Sequence, residues 1–534
     1  MAIKSLNTYN LSMFKIINIK KYFNKLNLDQ AFWKNFKYAF ILGAVIHIIA
    51  AIFSEGFHRP DEQLGIMQYV GLKLNKIELE LLSSLSWEYP AAIRNWLQPG
   101  FYFLIAKFLQ LLGVESPFVL ATFFRLISSL LALSATAVFT LVTAPHISKG
   151  KWQNLLPYIA TMLWWIPFFH ARTTAENFGT MTAQLALVSI FFFMPAQLWQ
   201  STSLRTFLSK KGAWAPPPAM ALLGGFLIGL AFNLRIPLVA VVPFIALWAI
   251  FSRLKISSLI LIILGVLIAI GATILTDYWG YGRWTYSTYN WFWWELVHGV
   301  SKQFGTDPWW AYLTKISSRA IPPISILLLI SFIWFWIKYP FHLLTWVTFS
   351  FFVAHSAMGH KEMRFMFPLS AFAPFIVCQT LYDLEHGTFF KKLFNGIWWK
   401  ILSSIFISIN IIAMLYSSLI PAYSGISLYK FLYKQQQTIT QLNTIGVVRD
   451  PLYFYMKVPF TNNLTDDPQK IEQVLNQQSL QNKYFLATRW QQRSMIEKYP
   501  QCVSVFQSRP QWVIDLMPEK MLLKSEVFSL FSCQ

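Results

Sequence analysis

The chain has 534 residues, 55% of them hydrophobic and only 13% charged, a balance that excludes a water-soluble globular protein. Its net charge of +21 would suggest a nucleic-acid partner in a soluble protein. Here the basic residues cluster between apolar runs, many of which approach the ~20 residues that cross a bilayer, so membrane topology accounts for the charge and no nucleic acid is expected.

Residues 1–37 carry Lys4, Lys15, Lys20, Lys21, Lys25, Lys34 and Lys37 against a single Asp29. No small-residue cleavage site follows a short apolar core, so this segment reads as a basic cytoplasmic anchor. The predicted spans are residues 38–53, 118–142, 155–170, 180–198, 220–232, 238–251, 257–275, 322–337, 341–357, 365–381 and 398–419, about 11 transmembrane helices within a membrane domain at 38–421. Residues 101–112 are apolar but short, and read as interfacial or re-entrant.

The positive-inside rule orients this set. With the N-terminus inside, five basic groups fall on the cytoplasmic side: His146, Lys149 and Lys151; Arg205, Lys210 and Lys211; Arg253 and Lys255; Lys338; and Lys391, Lys392 and Lys400. The periplasmic or lumenal side then receives residues 54–117, 171–179, 233–237, 276–321, 358–364 and 420–534. Those segments hold Asp61, Glu62, Glu88 and Arg94 in the first outer loop, then Arg172, Arg235, Asp277 and Tyr281, and the run His-Lys-Glu-Met-Arg at 360–364. Charges gathered at span ends on one face predict a single polar cavity there.

After Pro421 the apolar density becomes patchy, and residues 422–534 are predicted to form a small α/β extracytoplasmic domain. Its β-like runs are residues 483–488, 502–507 and 512–516, with a helical patch at 468–475. Asn463-Leu464-Thr465 is a glycosylation acceptor if the host has a glycosylating lumen. Cys378 lies in an apolar run and reads as packing, while Cys502 and Cys533 can pair if their region is extracytoplasmic.

Transfer of a sugar needs a base for the acceptor hydroxyl and cations for the leaving phosphate. Asp61 is a candidate base, and His360, Lys361 and Arg364, with Arg172, Arg235 and Arg94, are candidate partners of an anionic leaving group. Glu88, Asp277, Tyr281 and Glu362 complete the expected substrate contacts. Plainer readings stand beside these: a solvated loop pair, or an ion pair with Arg59, for Asp61-Glu62, and a lipid-facing cap for 360–364. For Trp291, Trp293, Trp294, Trp309 and Trp310 an interfacial belt is the preferred reading over sugar stacking. His355, His360 and Glu362 match no familiar ligand spacing, and neither an Asp-x-Asp pair nor a Walker-type glycine loop occurs, so no metal and no cofactor is expected.

Four blocks, taken together, resemble the signatures of glycosyltransferase family 22. They are His-Arg-Pro-Asp-Glu at 58–62; Ser-Trp-Glu-Tyr at 86–89 with Ile93-Arg94; Asp-Tyr-Trp-Gly-Tyr-Gly-Arg-Trp at 277–284 with Asn290 and Gly-Thr-Asp-Pro-Trp-Trp at 305–310; and His-Lys-Glu-Met-Arg-Phe at 360–365. The family includes the Alg9-like mannosyltransferases of lipid-linked oligosaccharide assembly and of GPI-anchor assembly. The resemblance implies an all-α polytopic GT-C fold and a polyprenyl-phosphate-linked hexose donor, with mannose expected. It further implies a lipid-linked or membrane-proximal glycan acceptor and an inverting, metal-independent transfer. By the same resemblance Asp61 is the general base, Glu62 an alternative or supporting acid, and His360 and Lys361 donor-phosphate contacts. Two departures stand out: Arg59 sits where relatives commonly run from apolar residues into Pro-Asp-Glu, and the C-terminal domain carries no family signature. The alternatives are a GT-C transferase for a pentose or aminosugar, and a lipid-linked sugar flippase. A flippase predicts ionisable residues near the bilayer midplane, whereas the charged motifs here lie at span ends.

Overall fold

The computed structural model describes residues 26–199, 202–208, 212–388 and 390–435, and shorter stretches between 439 and 533. Residues 1–25 of the basic segment, Lys210 and Lys211, Leu464-Thr465 of the glycosylation acceptor and most of the predicted helical patch at 468–475 lie outside the described residues.

Each of the eleven predicted stretches is mainly helical, several of them with breaks. Among the described residues, Gln30–Phe53, Pro117–His146, Ile256–Tyr281 and Ile397–Leu419 are long and apolar enough to cross a membrane. The pair Met363–Ser370 and Ala373–His386, bent by 65°, makes a fifth candidate. The chain is a multi-pass membrane protein. Eleven crossings exceed what helix length alone supports, because several predicted spans are short or broken. Residues 155–170, for instance, divide into Lys151–Met162 and Trp165–His170. Asn410 bridges that break, accepting from Trp164 N at 2.9 Å and donating to Met162 O at 2.7 Å, so the freed backbone groups have partners without water.

Gln30–Phe53 starts where Asp29 caps it, accepting from Phe32 N at 2.7 Å. It packs on Pro117–Thr143 and Lys151–Met162. Pro218–Leu234 runs against Ile256–Tyr281 so closely that a Cβ on Gly265 would lie 2.3 Å from Leu222 O; a glycine is what permits the contact. The opposite side of Ile256–Tyr281 exposes Ile260, Ile263 and Leu267, a surface suited to lipid tails. Leu97–Leu111 is a helix with two faces: Tyr102, Ala106 and Leu109 are buried, and Leu104, Phe108 and Leu111 are exposed.

The C-terminal region contains a five-stranded sheet in the order β2-β1-β3-β5-β4. The strands are β1 (Leu442–Ile445), β2 (Phe460–Asn463), β3 (Lys483–Thr488), β4 (Cys502–Gln507) and β5 (Phe528–Cys533). β1 is parallel to β2 and β3, whereas β5 is antiparallel to β3 and β4. The runs at 483–488 and 502–507 are strands as predicted, but residues 512–516 are not: Gln511–Leu516 is a helix. Pro510 sets its entry, and Gln511 Nε2 bonds Asp515 Oδ1 at 2.9 Å across one turn, a spacing only a helix offers. Cys502 and Cys533 form a disulfide that ties β4 to β5.

Candidate active site

Pro60 opens a helical turn, Pro60–Glu62, that continues through Gln63–Met67; a proline loses no hydrogen bond at a helix start. Successive residues of a helix point about 100° apart, so the two adjacent carboxylates separate. Glu62 turns inward and is 2% exposed. Its Oε1 accepts from Thr173 N at 2.8 Å and Thr173 Oγ1 at 2.9 Å, and its Oε2 accepts from His58 N at 3.0 Å. Asp61 faces Arg94 and Arg364, with its side chain one-third exposed.

Five charged side chains alternate in sign through Asp61. Asp61 Oδ2 accepts from Arg364 Nη1 and lies 3.2 Å from Arg94 Nη2. Arg94 grips Glu88 with two parallel hydrogen bonds of 2.9 and 2.6 Å. On the far side Arg364 Nη2 donates to Glu362 Oε1 at 3.0 Å, which also meets His360 Nε2 at 3.3 Å. Arg59 stands 4.0 Å from Glu362. The predicted Arg59–Asp61 alternative is therefore replaced: Arg59 pairs with Glu362, and Asp61 with Arg364 and Arg94.

The charges tune one another. Burial acts to raise the Asp61 carboxyl, but the Arg364 and Arg94 guanidinia prevail and hold it well below the usual carboxylate range. Burial likewise acts to raise Glu362, and Arg364 and His360 bring it below its ordinary value. His58 is lowered to about 4, first by burial and then by the charges of Arg59, Arg172 and Arg364.

Arg235 is 8% exposed, with its Nη2 3.4 Å from Glu176 Oε1. Its guanidinium lies 5.1 Å from the Phe365 ring, and that of Arg364 lies 5.3 Å from the same ring. Phe365 thus carries two of the site's cations.

The other predicted site residues brace the loops. Lys361 is 3% exposed, and its Nζ donates to Met358 O and, at 3.1 Å, to Asp307 O; burial lowers its ammonium. Lys315 fastens the same loop, donating to Asp307 Oδ2 and Lys361 O at 2.5 Å each. Arg172, fully buried, donates to Ser54 O, to Ser54 Oγ at 2.6 Å and to Gly56 O at 3.3 Å. Asp277 accepts from Trp96 N and Ser287 N, both at 2.9 Å, and Tyr281 Oη donates to Arg94 O at 2.7 Å. Sequence reasoning passed over Phe365, Asp307, Thr173 and Lys315 as site residues. Phe365 and Asp307 sit inside the recognised blocks, which was a usable signal; Thr173 and Lys315 offered none.

Two spaces border the cluster. An apolar cavity of about 260 Å³ has the polar side chains His58, Arg59 and Arg319 in its lining and is otherwise walled by residues such as Trp165, Phe168, Leu328, Phe332 and Trp336. A smaller space of about 30 Å³ has Arg94, Asn95, Gln98 and Arg235 among otherwise largely apolar lining residues.

The sequence model of the Alg9-like mannosyltransferase family matches residues 38–458, which include all the charged residues just described. The chain belongs to this family. Among curated members it is 26% identical to GPI alpha-1,2-mannosyltransferase 3 of Danio rerio over 297 residues, 54% of this chain and 49% of the relative. It is 36% identical over 116 residues, 21% of each chain, to a probable Dol-P-Man:Man(7)GlcNAc(2)-PP-Dol alpha-1,6-mannosyltransferase of Schizosaccharomyces pombe. In its longer matches the chain spans about half the length of the curated relatives. Among solved structures, ArnT from Cupriavidus metallidurans bound to undecaprenyl phosphate aligns over 92% of this chain and 97% of that one, with 10% identity and a TM-score of 0.49.

Proposed function

We propose that this member of the Alg9-like family is an integral-membrane glycosyltransferase. It moves mannose from a polyprenyl-phosphate carrier to a lipid-linked or membrane-proximal glycan, on the periplasmic or lumenal side of eleven spans. The observation that carries this reading is the adjacency of the Asp61 charge chain to an apolar cavity whose lining includes Arg59, the partner of Glu362. The cavity suits an isoprenoid tail, and the charged side chains beside it suit a phosphate and a sugar. Two further facts support it: a relative is named for a dolichol-phosphate-mannose reaction, and the Cys502–Cys533 disulfide suits an oxidising compartment.

In this mechanism Asp61 takes the proton of the acceptor hydroxyl while that oxygen attacks the anomeric carbon. The bond from that carbon to the phosphate oxygen breaks on the opposite face, so polyprenyl phosphate departs and the configuration inverts. Arg364, Arg59 and His360 meet the charge that develops on the phosphate. Glu62 supports Asp61 through Thr173 and the His58 backbone, and Lys361 acts through the loop it holds.

The test is an assay of the purified protein in lipid vesicles with radiolabelled dolichyl-phosphate mannose and a panel of mannoside acceptors, followed by linkage analysis. Transfer with inversion is expected, and Leu329→Trp, which fills the apolar cavity, should raise the donor KM. Turnover of another polyprenyl-linked sugar in place of mannose would replace the donor assignment. Movement of the donor across the vesicle without transfer would replace the enzyme by a flippase.

A further inference from the structure

We infer that the C-terminal segment from Tyr423 to Lys430 is a positioning element of the active site, holding the backbone that leads into Asp61. This rests on the reading of Asp61 as the base.

The chain from Ser54 to His58 is held group by group. Arg172 takes the carbonyls of Ser54 and Gly56. The carbonyl between them, Glu55 O, accepts from Tyr423 N at 3.2 Å. The Glu55 carboxylate receives Lys430 Nζ at 2.6 Å on both oxygens, and His58 N goes to Glu62. Two sources therefore hold one stretch of backbone: Arg172 from the helical part, and Tyr423 with Lys430 from the C-terminal region. Three residues beyond the last clamped position stands Asp61.

The contact between these elements is close. Gly56 has φ of 81°, and a Cβ there would lie 2.6 Å from Tyr423 Cβ, so no side chain fits. The Phe57 and Tyr423 rings stack at 4.4 Å. Behind them Phe57, Ile66 and Met67 share one buried apolar core with Ile426, Phe454 and Leu530. Leu530 belongs to β5, the strand that the disulfide ties to β4, so the sheet backs the clamp. Lys430 and Glu55 side chains are 41% and 21% exposed, and so exposed a pair adds little to stability; its effect is on geometry. That makes it a probe that leaves the fold standing.

The test uses the full-length protein with dolichyl-phosphate mannose as donor and octyl α-mannopyranoside as acceptor. Lys430→Ala should lower kcat about tenfold or more, since a displacement of about 1 Å at a reacting group costs up to ~10²-fold, with the donor KM and the melting temperature unchanged. Lys430→Arg, and the double exchange Glu55→Lys with Lys430→Glu, should restore kcat. Wild-type kcat in Lys430→Ala, a change confined to donor KM, or failure of the double exchange to rescue would overturn the inference. Hydrogen exchange of residues 54–62 decides the clamp independently of turnover. Faster exchange in Lys430→Ala, reversed in the double exchange, supports it, and unchanged protection overturns it. Absence of transfer by the wild-type protein would count against the assigned reaction, and the exchange result would still decide the clamp.

Discussion

Arg94 joins Glu88 to Asp61: its guanidinium makes two hydrogen bonds to Glu88, of 2.9 and 2.6 Å, and the same Nη2 reaches Asp61 Oδ2 at 3.2 Å. Glu88 therefore orients the cation that orients the proposed base. A planar fork is needed for this, and lysine has none. Arg94→Lys keeps the charge but releases the geometry, so kcat should fall roughly tenfold to a hundredfold with little change in donor KM. Steady-state kinetics with the donor varied at saturating acceptor separate the two.

The two neighbouring carboxylates should fail in different ways. Asp61→Asn should reduce kcat by about 10²–10⁴-fold, the usual contribution of a general base, and it also removes the carboxylate that pairs with Arg364 and Arg94, so the melting temperature falls as well. Glu62→Gln weakens the hydrogen bonds from Thr173 and His58 inside the protein and should cost about 1.5–3 kcal/mol of stability. Thermal unfolding in detergent, read beside kcat, distinguishes them. Wild-type turnover in Asp61→Asn would remove Asp61 as base.

The acidity of Asp61 sets a pH dependence. Burial alone would raise it, but Arg364 and Arg94 hold it well below the usual carboxylate range. A carboxyl depressed on folding contributes stability that is complete above its unfolded value of about 3.9 and is lost as pH falls through the folded value. The proposed base is then ionised throughout the neutral range, and its acid limb in kcat/KM lies below about pH 3.9. Arg364→Gln removes the larger of the two opposing charges, so the acid limb should move upward. A pH–rate profile with no upward shift in that variant would break the Asp61–Arg364 coupling.

Lys361 connects donor binding to loop order. Its ammonium donates to Met358 O and Asp307 O in a partly buried site, so Lys361→Ala removes two hydrogen bonds that hold the loop, at about 0.5–1.5 kcal/mol each. Lower thermal stability and a raised donor KM are expected together. An unchanged donor affinity would refute any link between this lysine and the phosphate.

Sidedness is open to chemical labelling at exposed positions. Arg172 and Lys361 are both buried, which makes cysteines there poor reporters. Trp284, 68% exposed, and the exposed Lys149 are better ones. Trp284→Cys should react with an impermeant maleimide from outside, and Lys149→Cys only after the membrane is opened. Cytoplasmic labelling at position 284 would invert the proposed topology.

The sequence by itself determined the helical segments, the charged motifs at their ends and the family, because apolar length, charge bias and short motifs are local properties. It also located β3 and β4, whose β-like composition is local as well. Gln511–Leu516 escaped it, since a run of five apolar and polar residues suits either structure until the capping and one-turn contacts are formed. Only the tertiary structure decided the partners within the charged cluster. Asp61 and Glu62 differ by one helical step, yet one meets Arg364 across 303 residues of chain and the other meets Thr173 across 111. Glu55 and Lys430, 375 residues apart, carry no mark in the sequence that foretells their pairing. Side-chain direction and long-range packing choose such partners, and neither is encoded in any short stretch of residues.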